Sequence, residues 1–222
     1  MSLKEIELPK YSLAQELWNA ISHGLGALFA IVMAPFFLVK AIDSGSVLRI
    51  VSVSIYLFAF FVTFCMSCLY HSLGRNNGKR VLRILDHDMV FFLIMGSYAP
   101  YSLVALYERG EPIWGIVVFC LVWGFSILGI VFNSINIKKY AVFSYVLYVL
   151  LGSAICAALY PLYVTMGLPF VLWLVGSGCL YWIGAALYGV GKKRSNWFHV
   201  VFHFFILAAA ISMALNIYFM IL

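Results

Sequence analysis

Apolar residues run along this chain in long blocks, and short polar segments separate them. A helix crossing the hydrocarbon core of a bilayer needs about 20 predominantly apolar residues. Seven blocks reach that length, at roughly 20–40, 49–73, 84–106, 113–133, 141–161, 169–190 and 197–221. Between them lie KAIDSGSVLR, GRNNGKRVLR, YERGEP, SINIKKY, YPLYVTMGLP and GKKRSN, all short and turn-like. Blocks this long read as helices, because a spanning helix satisfies its own backbone hydrogen bonds. The pattern predicts an all-α integral membrane protein: a single bundle of seven transmembrane helices over 1–222, with 1–19 as a polar N-terminal segment.

Composition agrees and removes other classes. Hydrophobic residues make up 65% of the chain and charged residues 10%, and mean hydropathy is +1.03. A soluble domain runs nearer half apolar and a quarter charged. The opening MSLKEIELPKYSLAQELWN is polar and partly amphipathic, with no small-residue cleavage site after a short apolar stretch. No removable signal peptide is expected, which argues against a secreted protein. Cys65, Cys68, Cys120, Cys156 and Cys179 all fall in apolar stretches, as small buried hydrophobes rather than a disulfide framework. The Cys65–Cys68 pair is a CxxC inside a span without a second pair, so packing is its expected role.

The net charge of +6 would suit nucleic acid, but its distribution explains it differently. Lys4, Lys10, Arg75, Lys79, Arg80, Arg83, Lys138, Lys139, Lys192, Lys193 and Arg194 fall on the side of the N-terminus. Only Lys40, Arg49 and Arg109 fall on the other. The positive-inside rule then places the N-terminus in the cytoplasm and the C-terminus outside. The basic excess serves topology and contact with anionic lipid, and no nucleic-acid partner is needed. The expected location is the cell membrane, as a multi-pass protein. Trp18, Trp114 and Trp197 stand near span ends as an interfacial belt. Gly96, Gly152 and Gly184 are expected to permit close helix packing.

Against this background the ionisable residues within spans stand out, since they are costly there and by default functional. Glu16, Asn19 and His23 mark the inner end of the first span, and His71 that of the second. Asp86, His87 and Asp88 open the third, and His199 and His203 open the seventh. All five histidines thus share the inner half of the membrane. His199 and His203 are i and i+4, about 40° apart around a helix and about 6 Å along it, so both face one ligand. Ser67 and His71 have the same spacing. Three neutral imidazoles from two helices suit a tetrahedral Zn2+ with one position open to water. A carboxylate such as Asp86 could hold that water or take its proton. The plainer readings are interfacial hydrogen bonding for the histidines and capping for Glu16 and Asn19.

Three blocks then resemble a known family. They are ELWNAISHGLGA at 16–27, SCLYHSL with RILDHDMVFFLIMGSYAPY within 67–101, and WFHVVFHFF at 197–205. In this order they resemble the haemolysin III family, the bacterial branch of the progestin and adipoQ receptor superfamily that includes the adiponectin receptors. The resemblance implies a seven-helix bundle with a cytoplasmic N-terminus, the orientation the charges also give. It implies a zinc near the inner face held by His71, His199 and His203, with Asp86 on the zinc-bound water and Ser67 beside it. Two departures are visible: the His71–Asp86 interval is shorter than in the animal receptors, and the His87–Asp88 pair differs. Asp88, roughly 200° around the helix from Asp86, would substitute for it or face lipid headgroups.

The resemblance points first to a zinc-dependent membrane hydrolase of an amide- or ester-linked lipid, with a role in membrane lipid homeostasis. Asp86 is its expected general base and Ser67 its oxyanion donor. Ceramidase-like activity is associated with the animal relatives. The alternatives are a non-enzymatic sensor of membrane state with a structural zinc, and a haemolysin-type cytolysin. A zinc transporter ranks behind these, because the ligands cluster on one side rather than at the midplane.

Overall fold

The computed structural model describes residues 2–191 and 194–222. Seven helical spans run antiparallel in sequence order: α1 (Leu13–Asp43), α2 (Val47–Ser72), α3 (Asn77–Ala99), α4 (Pro112–Ile135), α5 with α6 (Ala141–Ser153 and Leu159–Met166), α7 (Leu168–Gly191) and α8 (Trp197–Asn216). All seven are long and apolar enough to cross a membrane. Several begin earlier than apolarity alone indicates, because capping rather than hydropathy decides where a helix starts. Ser12 closes a reciprocal capping box with Gln15, so α1 opens well before residue 20. Asn76 accepts from the Lys79 backbone N–H at 2.8 Å, and α3 likewise opens before 84.

The third span is the axis of the bundle. Of its most apolar window 72% is buried, against at most 44% in any other span. Small residues let neighbours close on it: a Cβ at Gly96 would overlap the Cβ of Ala59, and one at Gly129 would overlap the Phe91 ring. Gly184 similarly admits Phe205, but Gly152 meets nothing within 4 Å and faces outward on the fifth span. At Pro100 the missing N–H interrupts the α register, and the span continues as a π-helix over Pro100–Glu108. The fifth span breaks too, into a 3-10 turn at Ala154–Ala158. Tyr98 repairs that break from α3: its hydroxyl donates to Leu151 O (2.7 Å) and accepts from Ile155 N (2.9 Å).

The two ends of the bundle differ in charge, as the pattern of loops requires. Lys192 and Lys193, assigned to the basic end, lie outside the described residues. There the N-terminal segment forms a strap with Ile6 and Leu8 buried. Arg75 donates to Pro9 O (2.7 Å) and Leu8 O (3.1 Å), Arg80 to Ile6 O (3.2 Å), and Asn196 to Lys10 O (2.8 Å). Lys138 meets Glu7 at 2.6 Å and holds its carboxyl below the ordinary range, though both are exposed. At the opposite end Lys40 donates to Tyr218 O (2.7 Å) and Arg109 to Ile221 O (3.1 Å). Both cations thereby serve carbonyls of the last helical turn.

Asp88 takes neither placement expected for it. It is buried, and its two carboxylate oxygens accept from Asn133 Nδ2 (2.7 Å) and Ser134 Oγ (2.6 Å), which clamps α3 to α4. Asp88→Ala is expected to destabilise the bundle by about 2 kcal/mol, because charge-assisted hydrogen bonds are lost in a buried setting. Thermal unfolding of detergent-purified protein checks this, and an unchanged midpoint would remove the clamp.

Candidate metal centre

Helical spacing assembles the centre. The last two turns of α2 place Ser67 and His71 on one buried face, and the first two turns of α8 place half-buried His199 and buried His203 on one face. Antiparallel packing brings these ends together at the basic end. The Nε2 atoms of His199 and His203 are 3.0 Å apart, and one ring nitrogen from each of His71, His199 and His203 lies within 4.8 Å of the others. Ligand atoms about 2.0–2.1 Å from a tetrahedral zinc stand somewhat over 3 Å apart, so the three rings are within collecting distance of one ion. Among the described residues no carboxylate or cysteine joins this cluster.

The polar atoms around the rings test whether a ligand fits. His71 Nε2, Ser67 Oγ, Asn19 Oδ1 and both nitrogens of His23 are buried without a hydrogen-bond partner among the described residues. Buried polar groups are ordinarily satisfied, and so many unsatisfied in one layer mark a place built around something polar or ionic. The donor set of three imidazoles, two buried and one half-buried, is the chemistry of a zinc site.

Helix α1 orients the ligands. Glu16 and Asn19 are one turn apart, and Glu16 Oε2 accepts from His71 Nδ1 at 2.6 Å, with Asn19 Nδ2 3.4 Å from the same nitrogen. With its proton on Nδ1, His71 turns a lone pair at Nε2 toward His199 and His203. Glu16 is held in turn by buried Lys79, whose Nζ donates to Oε1 at 2.6 Å and to Leu73 O at 2.9 Å. His23 stacks on His203 (ring centroids 3.8 Å, 23°) and takes the Phe64 ring at its edge. Capping is not the role of Glu16 or Asn19, since Ser12 and Gln15 cap α1.

Tyrosines close the other side. Tyr11, from the strap, stacks on His199 at 5.2 Å and 18°, and lies 5.7 Å from His71. Burial pushes its phenol above the ordinary value, so it stays protonated and a donor. Next to His199 opens a cavity of about 160 Å³, lined by Pro9, Tyr11, Tyr70, Arg83, Asp86, His87, Tyr188, Ser195, Asn196 and His199. Asp86 therefore shares a cavity wall with a member of the histidine cluster. His87 lines it too, with Nδ1 donating to Arg83 O at 2.8 Å, whereas Asp88 points to α4.

Lys79, Tyr11, Tyr70 and Arg83 are absent from the residues expected at the site. For Lys79 a signal exists: a cation in the first turn of a helix opposes the macrodipole, so a lysine three residues after an Asn cap implies a carboxylate partner. Removing that partner strands a buried ammonium. Glu16→Ala is expected to cost about 3 kcal/mol, and Lys79→Met in the same chain should recover much of it. A double-mutant cycle by thermal unfolding measures the coupling, and additive losses would contradict it.

The fold and this arrangement can be set beside known proteins. The family described as Haemolysin-III related matches residues 11–214. The chain is similar to "Hemolysin-3 homolog" of Bacillus subtilis (strain 168), with 31% identity over 204 residues, 91% of this chain and 92% of the relative. It is also similar to "Hemolysin-3" of Bacillus cereus, with 31% identity over 209 residues, 94% of this chain and 92% of the relative. With a match of this length, the seven-helix chain belongs to the haemolysin III family.

Proposed function

We propose that this chain is a zinc-dependent hydrolase embedded in the cell membrane, with its basic end in the cytoplasm, acting on an amide- or ester-linked lipid. The observation that carries the reading is a cluster of three imidazoles with no further protein ligand among the described residues, beside a cavity walled by Asp86. A structural zinc would call for a fourth side chain, whereas three ligands and adjoining space are the arrangement of a catalytic site. Zinc bound by His71, His199 and His203 would supply Lewis acidity toward a carbonyl oxygen and toward water.

The protein's own groups then divide the work. Asp86 accepts the proton of the attacking water and returns it to the departing nitrogen or oxygen. The buried Ser67 hydroxyl donates to the oxygen on which negative charge develops. Glu16, braced by Lys79, fixes the tautomer and aim of His71. Tyr11 covers the His199 ring and limits water on the strap side.

Two other readings have an observation each. A membrane-state sensor with a structural zinc draws on the way the cluster ties α1, α2 and α8 together. A cytolysin draws on the names of the two Bacillus relatives. Metal analysis of detergent-purified protein is expected to give about one zinc per chain for a single three-histidine site, lost in His199→Ala and His203→Ala. Glu16→Gln should weaken zinc affinity about 10–100-fold. Asp86→Ala should keep its zinc and lose about 10²–10⁴-fold in lipid turnover, read by profiling membrane lipids against wild type. A folded wild type free of zinc would sink the site, and an Asp86→Ala lipid profile like that of wild type would sink the hydrolase.

A further inference from the structure

The cavity beside His199 has features that proton transfer does not use. Its volume of about 160 Å³ equals about five water molecules at roughly 30 Å³ each. That is room for a compact polar group. Its wall carries Arg83, six residues into α3 at the basic end of the bundle. Among the described residues the Arg83 guanidinium has neither a hydrogen bond nor an ion pair, and its Nε is buried without a partner. Arg75 and Arg80, by contrast, are committed to backbone carbonyls of the strap. Tyr11 and Tyr70 line the same space, and neither phenol hydroxyl has a hydrogen bond among the described residues. A planar fork of N–H donors flanked by phenols is a recognition set for a tetrahedral oxyanion.

Asp86 stands on the same wall, one turn of α3 beyond Arg83, and orders the cavity. An anion filling the whole space would meet its carboxylate. An anion held by Arg83 leaves Asp86 and His199, which line the same cavity, to the atoms being cleaved.

We propose that this cavity binds the phosphate of a phosphate-headed lipid, with Arg83 holding phosphate oxygens, Tyr11 and Tyr70 donating to them, and the acyl link lying toward the histidines. The assignment rests on the hydrolase reading for its purpose and names the substrate class for that site. The phosphate itself can come from a lipid headgroup or from free phosphate, and both place the same chemistry at Arg83.

The test is binding, not turnover. Purified full-length protein is titrated with dioctanoyl phosphatidic acid, with dioctanoylglycerol as the uncharged match, and with inorganic phosphate, by native mass spectrometry. Wild type should prefer the phosphate-headed lipid by about tenfold, the scale of one charge-assisted hydrogen-bonded pair. Arg83→Gln should abolish the preference and Arg83→Lys should restore part of it. Displacement of the lipid by inorganic phosphate identifies a site that also takes the free anion, whereas its failure to displace identifies one that needs the lipid. Equal binding of charged and uncharged lipid by wild type overturns the proposal, whether or not Arg83→Gln folds. A preference undiminished in folded Arg83→Gln overturns it as well. Repeating the titration after chelation separates the two readings: absence of zinc ends the hydrolase and leaves the preference, and absence of preference leaves the hydrolase.

Discussion

One carboxylate holds the basic end of this bundle together. Glu16 on α1 receives the buried ammonium of Lys79 on α3 through one oxygen and the imidazole of His71 on α2 through the other, both at 2.6 Å. Neither contact is optional in a low-dielectric layer. A buried lysine without an anion is costly, and an imidazole without a partner on Nδ1 has no preferred tautomer. The same bridge that stabilises three helices therefore decides which nitrogen His71 presents to α8. Stability and site geometry are one interaction here, and the histidine cluster inherits its aim from it.

The rest of the architecture keeps that bridge away from lipid. The third span lies at the centre, and Asp88 locks it to α4 on the side away from the histidines. Tyr98 and the π-helical continuation stiffen its far half against the broken fifth span. At the opposite end Lys40 and Arg109 close the last carbonyls of the seventh span, and Arg49 pairs with Glu108 at 3.0 Å. The histidine cluster lies at the basic end, where Tyr11 of the strap covers it.

Much of this was legible in the sequence, and what escaped did so for physical reasons. Apolar blocks give seven spans because lipid demands continuous hydrophobic length, and i, i+4 spacing brings His199 and His203 onto one face because helical geometry is local. Helix starts escape hydropathy because capping by Ser12 and Asn76 is polar. The partners of Asp88 escape because Asn133 and Ser134 lie on another helix, 45 and 46 residues away. Tyr11 escapes because its segment is extended and joins the site only by folding back. Lys79 and Arg83 both read as loop charges, yet one is buried against Glu16 and the other faces a cavity.

The strap carries a consequence for how this end of the molecule tolerates change. Arg75, Arg80 and Asn196 all grip main-chain carbonyls of residues 6–10. Every amino acid offers that carbonyl, so these anchors do not read the identity of the residues they hold. Side-chain identity in the strap matters where Ile6 and Leu8 are buried and where Tyr11 meets the histidine rings. The segment can drift at its remaining positions and still deliver an aromatic ring to the same spot, much as a hinge pin fits any leaf drilled to its diameter.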